Sequence, residues 1–429
     1  MPALSEIESR AGPTETLMSM NRRGFMKTAA GMLAYASSFD LLAQANIDGS
    51  NPIKVANLLD RTGVLNNYCL KQISAAAMAV DEINRAGGLL GRKVEIIFYD
   101  TQSSNRLYSQ YATQAFVRDK VDVIHGAVAS SAREVVRPIV QRFKGLYFYN
   151  ALYEGGVCDR RHVCSGMVPA QELEPLVNYV MDERNAKTHY ILAADYNYGH
   201  ITSKWLQKFI REKGGKDVAV EFFPLDITNF APVLSRIQSA RPDAVWSALV
   251  GDAHMSFYRQ FESTIGKKNM DLIGTVYGTA RENSMLSAQE NDGTIIAASF
   301  IDTLPTDAAA GFVKKFADFT GETDYIGEYG EYGYRGMMLW AEAVKRAGSV
   351  RPDDVIAALP GTRFNGPGGL YTIDDQSNHT IMDIHIAIGN RDKGFDVIKS
   401  FDQRPPSDTQ EVCNLVENPN DTTQYEPKV

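Results

Sequence analysis

Across residues 53–149, short β-rich runs alternate with longer segments of helical period, and from residue 190 the same alternation starts again. Few architectures suit such a chain. Strands joined through helices pair in parallel, and each crossover helix must cover a face of the sheet. Residues 53–59 read as a buried strand, closed by the Thr62-Gly63 turn. Over 68–84, Ile73, Ala76, Ala77, Val80 and Ile83 keep helical spacing until Gly87-Gly88 stops them. Strands follow at 94–100, 121–126 and 146–149, with helices at 108–119 and 132–143. The second series places strands at 190–195, 218–223, 244–250 and 272–276, each followed by a helical pattern. A long helix over 332–347 and antiparallel-capable strands at 371–373 and 382–388 come late. The expected class is α/β, as two βα sheets joined by several crossings. The polar stretch from Arg404, opened by Pro405-Pro406, reads as loose.

Charge and motifs exclude several functions. With 52 acidic against 44 basic residues the chain carries −8, which argues against nucleic acid or an anionic membrane as its main partner. There is no G-x-S-x-G elbow, no Walker-type loop and no H-E-x-x-H. Gly87-Gly88-Leu89-Leu90-Gly91 follows a helix instead of opening one, so it is a turn and not a dinucleotide cradle. The seven histidines lack ligand-like i, i+3 or i, i+4 spacing, and the four cysteines form no C-x-x-C. No catalytic residue, cofactor or metal is expected. Binding outranks catalysis.

The N-terminus reads as an address. Asn21-Arg22-Arg23-Gly24-Phe25-Met26-Lys27 resembles the twin-arginine export motif; an apolar stretch follows, and Ala43-Gln44-Ala45 has the small-x-small pattern of a cleavage site. Residues 1–45 are expected to be a signal peptide, the export machinery a partner and the periplasm the destination. Export permits disulfides. Cys158 and Cys164 enclose a short polar loop and are expected to be bridged; Cys69 and Cys413 have no assigned partner.

Three strand ends gather polar and aromatic groups where ligands of parallel sheets bind, beyond the carboxyl ends of the strands. They are Gly126–Arg133, which includes Ser130 and Ser131, then Phe148–Gly156, then Asp195–Gly199. The helix start at Ser130 offers free backbone N–H groups to a carbonyl or carboxylate. With Tyr153-Glu154-Gly155, Asp195-Tyr196-x-Tyr198 and the run Ala79–Gly91, the chain resembles the type I periplasmic substrate-binding proteins, in the branch that binds urea and short-chain amides. The resemblance spans about residues 53–391. It implies two doubly wound parallel-sheet lobes joined by three crossings, with lobe 1 at 46–166 plus 299–370, lobe 2 at 167–298 plus 371–405, and a tail at 406–429.

The resemblance also implies ligand contacts from Ser130, Tyr149, Tyr196 and Tyr198; Ser131, Ala151, Tyr153, Asp252 and Tyr277 are further candidate ligand-binding residues beside them. Ala151 and Val128 stand where the amide sensors carry a threonine and a tyrosine, which enlarges the site or makes it less polar. Asp252, if it faces the cleft, favours a cationic ligand. The implied function is capture of a small polar organic ligand, such as urea, a short amide or a related amino compound, for delivery to an ABC transporter permease, by a monomer. A periplasmic sensor signalling through a membrane receptor is the alternative, with an amide hydrolase behind it.

Overall fold

The computed structural model describes residues 48–428, so the twin-arginine segment and the expected cleavage site lie outside the described residues. The first sheet contains β1 (Asp48–Leu59), β2 (Arg92–Asp100), β3 (Val123–Gly126), β4 (Tyr147–Tyr149) and β5 (His162–Cys164). Its order is β2-β1-β3-β4-β5, parallel throughout. The crossover helices are α1 (Asn66–Arg85), α2 (Asn105–Gln114) and α3 (Ser130–Phe143).

After β5 the chain enters α4 (Pro169–Asp182) and builds the second sheet. There β6 (Thr188–Ala194), α5 (Asn197–Glu212), β7 (Lys216–Phe223), α6 (Ala231–Ala240), β8 (Ala244–Ala248), α7 (Asp252–Thr264) and β9 (Asp271–Gly274) alternate. Two short helices, α8 (Glu282–Met285) and α9 (Ala288–Asn291), precede β10 (Thr294–Ala298). The chain then returns as α10 (Asp307–Thr320), α11 (Gly327–Ala347) and α12 (Pro352–Ala358), with α10 and α11 packed on α1. It crosses a third time through β11 (Arg363–Gly366), β12 (Gly369–Ile373) and β13 (Thr380–Gly389), antiparallel additions beside β10; β14 (Phe395–Arg404) pairs β13. This is the two-lobed α/β arrangement with three crossings.

Burial explains why these stretches are strands. Every residue of β8 and β10 is buried, as central strands covered on both faces require. The contact of α1 with α11 needs a missing side chain, since a Cβ at Gly333 would lie 2.5 Å from the Gln72 carbonyl oxygen; Gly336 on the same helix leaves room for the Asn150 amide just after β4. Among the described residues no helix is long and apolar enough to cross a membrane.

Two expectations are corrected. The bridge from Cys158 runs to Cys413, 255 residues away, and not to Cys164. Cys164 ends β5, paired with Tyr149 on β4, and its buried thiol faces the carbonyls of Ala151 and Gly166 at 3.8 and 3.6 Å. Cys158 sits in the preceding loop, where the C-terminal segment reaches it. That segment is packed, not loose: α13 (Ser407–Gln410) follows β14, Asp408, Thr409 and Cys413 are buried, and Gln424 forms a bridge with Val157. Cys69 is free and buried.

Candidate ligand cleft

The carboxyl ends of both sheets meet at a small cavity, with about 10 Å³ open to the centre of a water-sized sphere. From the first lobe, β3 ends at Gly126 and the chain turns through Ala127, whose φ of 58° is left-handed and costly for alanine. This turn brings Val128 and Ser130 onto the wall, and Leu152 joins them from the loop after β4. From the second lobe come Tyr196 and Tyr198 after β6, Val250 after β8 and Val276 after β9. Tyr68 of α1 and Tyr329 of α11 complete it, their rings 5.3 Å apart and tilted. Tyr196 and Tyr198 form a second tilted pair, at 6.2 Å. No charged side chain stands on this wall.

The polar part of the wall is the start of α3. Its first N–H groups, at Ser130 and Ser131, have no carbonyl one turn back to bond. Ser130 also places a buried hydroxyl here, which donates to Glu154 Oε2 at 2.5 Å. Glu154 Oε1 accepts from Arg133 Nη2 at 2.7 Å and from Gln424 Nε2 at 2.7 Å. Burial alone would raise the Glu154 carboxyl; the Arg133 charge and hydrogen bond, with that of Ser130, bring it below its ordinary value. Glu154 is therefore an anion at neutral pH, fully buried and paired. The Arg133 guanidinium lies over the Tyr153 and Tyr149 rings at 4.5 and 5.2 Å. Across the cleft, Tyr198 Oη and Thr275 Oγ1 are 2.9 Å apart.

A periplasmic binding protein domain matches residues 53–410. The chain belongs to the periplasmic binding protein family. A Leu/Ile/Val-binding protein homolog of Brucella melitensis is 22% identical over 401 residues, 87% of this chain and 95% of the relative. The leucine-, isoleucine-, valine-, threonine- and alanine-binding protein of Pseudomonas aeruginosa is 21% identical over 350 residues, 80% and 91% of the two chains. Among solved structures, a solute-binding protein of an ABC transporter from Rhodopseudomonas palustris BisB5, in complex with 3,4-dihydroxybenzoic acid, superposes with a TM-score of 0.75 at 22% identity, covering 83% of this chain and 98% of its own. A leucine-binding protein of Thermotoga maritima gives 0.72 at 20%, covering 82% and 99%. At these identities the structural likeness establishes the fold.

Of the residues expected at the site of this periplasmic binding protein, Ser130, Tyr196 and Tyr198 stand on the cavity wall. Tyr149 and Tyr153 are fully buried one layer behind it: Tyr149 donates to the Val128 carbonyl, and Tyr153 pairs with His379. Ala151 is buried beside Cys164. The Ser131 hydroxyl turns away, 3.4 Å from Asn105. Tyr277 donates to Asn291 at 2.7 Å and stacks on Tyr258 in the second-lobe core. Asp252 is exposed and lines an outer crevice with Asn67, Arg281 and Glu282, so the acid thought to favour a cation is off the cavity wall. Tyr68, Leu152, Val250, Val276 and Tyr329 join the wall without having been anticipated. Three of them lie at or just past the ends of strands the sequence identifies; Tyr68 and Tyr329 sit on helices and carried no signal.

Proposed function

We propose that this protein captures a small uncharged amide or urea in the interlobe cavity and delivers it to an ABC importer. The Ser130–Glu154 hydrogen bond carries the reading. A hydroxyl has one proton; once it is committed to an ionised carboxylate, the oxygen can only accept from the cavity. The neighbouring N–H groups of Ser130 and Ser131 can only donate. A carbonyl beside an N–H complements that pair, and a primary amide or urea supplies both. A carboxylate satisfies the donors but sets a second anion against the Ser130 oxygen with Glu154 behind it. A cationic amine finds no acid on the wall.

Four tyrosines and four aliphatic side chains then enclose the ligand, and lobe closure excludes water and strengthens the few polar contacts. Membership of the family and relatives described as solute-binding proteins of ABC transporters support the importer. The twin-arginine motif supports export to the periplasm, and so does the Cys158–Cys413 bridge, since disulfides persist in oxidising compartments.

Isothermal calorimetry with acetamide, propionamide and urea against acetate and alanine tests this. The expected result is one amide or urea site per chain, with acetate weaker by at least about tenfold, the value of one hydrogen bond. Preference for acetate, or for alanine, would sink the amide reading.

A further inference from the structure

Glu154 is reached from an unexpected direction. Its Oε1 accepts from Gln424, only a few residues from the C-terminus and 270 positions away in sequence. The segment that carries Gln424 is laid down by specific contacts. Cys158 N–H donates to the Thr423 carbonyl and Tyr425 N–H to the Gly156 carbonyl, each at 2.8 Å, while Arg137 Nη2 donates to the Thr422 carbonyl at 2.6 Å. Upstream, the Cys413–Cys158 disulfide and the bond from Gly156 N–H to Thr409 Oγ1 at 3.1 Å tie the same loop to α13. Downstream, Glu426 pairs with Lys204 of α5, in the other lobe, at 2.5 Å. From that helix Trp205 Nε1 donates to the Glu154 carbonyl at 3.0 Å.

The loop after Glu154 is shaped for this. Gly155 and Gly156 take φ of 79° and 80°, and a Cβ would strike the Asp408 carboxylate at the first and the Tyr425 carbonyl at the second. The double glycine beside the branch-like Tyr153-Glu154 pair is where the C-terminal segment lies against the chain.

We infer that the C-terminal segment 418–426 is a working part of the ligand site: Gln424 fixes the rotamer of Glu154, and Glu154 fixes the direction of the Ser130 proton. The inference rests on the reading of the Ser130 wall as the amide contact. Arg133 alone leaves the carboxylate held at one oxygen from one side. With Gln424 on the same oxygen from the opposite chain end, Oε2 is presented to Ser130. Without it the carboxylate turns, the Ser130 proton is released toward the cavity, and the wall accepts a carboxylate oxygen nearly as well as an amide N–H. Gln424 is thus a positioning residue. Its removal changes selectivity as well as affinity, which a mere cover over the loop would not do.

The test uses the full-length protein with Gln424→Ala, Gln424→Met and a truncation after Glu417 that keeps Cys413. Titrations use acetamide and acetate, beside hydrogen exchange over 128–134 and Trp205 emission. All three variants are expected to bind acetamide about tenfold more weakly, the worth of one charge-assisted hydrogen bond, and to lose most of the acetamide-over-acetate preference. Gln424→Met keeps the bulk and loses only the N–H donor. Wild-type selectivity in that variant would overturn the inference, whatever the truncation does to stability. If the parent protein binds neither compound, the amide reading falls by itself. The positioning role is then decided by exchange at 128–134: faster exchange and altered Trp205 emission in Gln424→Met uphold it, and unchanged values overturn it.

Discussion

A serine hydroxyl can give its proton to one acceptor at a time, and much of this cleft's chemistry turns on where Ser130 gives its own. With the buried anion Glu154 as acceptor, Ser130 is itself an acceptor toward the cavity. Ser130→Ala should therefore weaken acetamide binding by about tenfold or more, the value of a lost hydrogen bond near a charge. It also strips one of three donors from Glu154, so unfolding should be easier by about 1–3 kcal/mol. Calorimetry and urea denaturation read the two effects separately. Intact affinity with reduced stability would make Ser130 a prop for Glu154 and no more. The tyrosines divide in the same spirit. Tyr196 and Tyr198 face the cavity, whereas Tyr149 carries Arg133 over its ring and belongs to the packing behind. Strand-end position and the family resemblance point all three to the pocket; only the layer in which each side chain sits separates them.

At the scale of elements, legibility follows locality. The crossover helices and inner strands announce themselves through period and apolar runs, and residues 68–84 lie within α1. What escaped was set from far away. Strand β14 is an edge whose exposed residues run together at Ile398, Lys399 and Ser400 instead of alternating, so its pattern is weak. Strand β5 has only three residues, two of them His162 and Cys164, and looked like part of a disulfide loop. The segment after Arg404 is polar enough to pass for disorder, yet Cys158, Gly155 and Gly156 hold it from the other end of the sequence. The α1–α11 contact shows the same dependence. Gly333 reads only as a weak helix residue, but it lets the helices touch: a Cβ there would lie 2.5 Å from the Gln72 carbonyl and 2.8 Å from its Cγ. Gly333→Ala improves helix propensity by about 1 kcal/mol, and an exposed site would gain. Here the methyl must push backbone apart, so a net loss of about 1–3 kcal/mol is expected from overpacking. A raised melting temperature would show that the two helices separate freely.

Over the whole molecule, buried titratable groups pull stability in opposite directions with pH. Burial drives the carboxyls of Glu282, Glu328 and Asp408 up to about 7 and that of Asp302 up to about 6, and it raises Glu172 well above its usual value. In the folded chain these acids stay protonated up to those raised values, whereas once unfolded they ionise near pH 4. They cost nothing below about pH 4, and their penalty grows as pH rises toward the folded values. Burial drives His125 down to about 3 and His189, His254 and His379 down to about 4. The unfolded chain takes up those protons below about pH 6.5, so the histidines cost nothing above that value and progressively more as pH falls to 4. Between pH 4 and 6.5 the two sets oppose each other. Above 6.5 the histidine contribution is complete, and only the carboxyls still change. The five acids and four histidines nearly cancel up to about pH 6.5, so stability should change little there, fall as pH rises through the folded carboxyl values near 7, and level off toward pH 8. Glu282 gives the sharpest test, because it is buried at the cleft mouth with Asn67 Nδ2 3.4 Å away across the lobes, and burial outweighs the pull of nearby backbone amides and Arg281. A rise from 4.5 to about 7 is worth about 3 kcal/mol between pH 5 and 8. Urea denaturation of Glu282→Gln at pH 5, 6, 7 and 8 should show the alkaline decline shallower by that amount. An unchanged slope would mean that Glu282 ionises in the folded protein as it does in water, with the cleft mouth open to solvent.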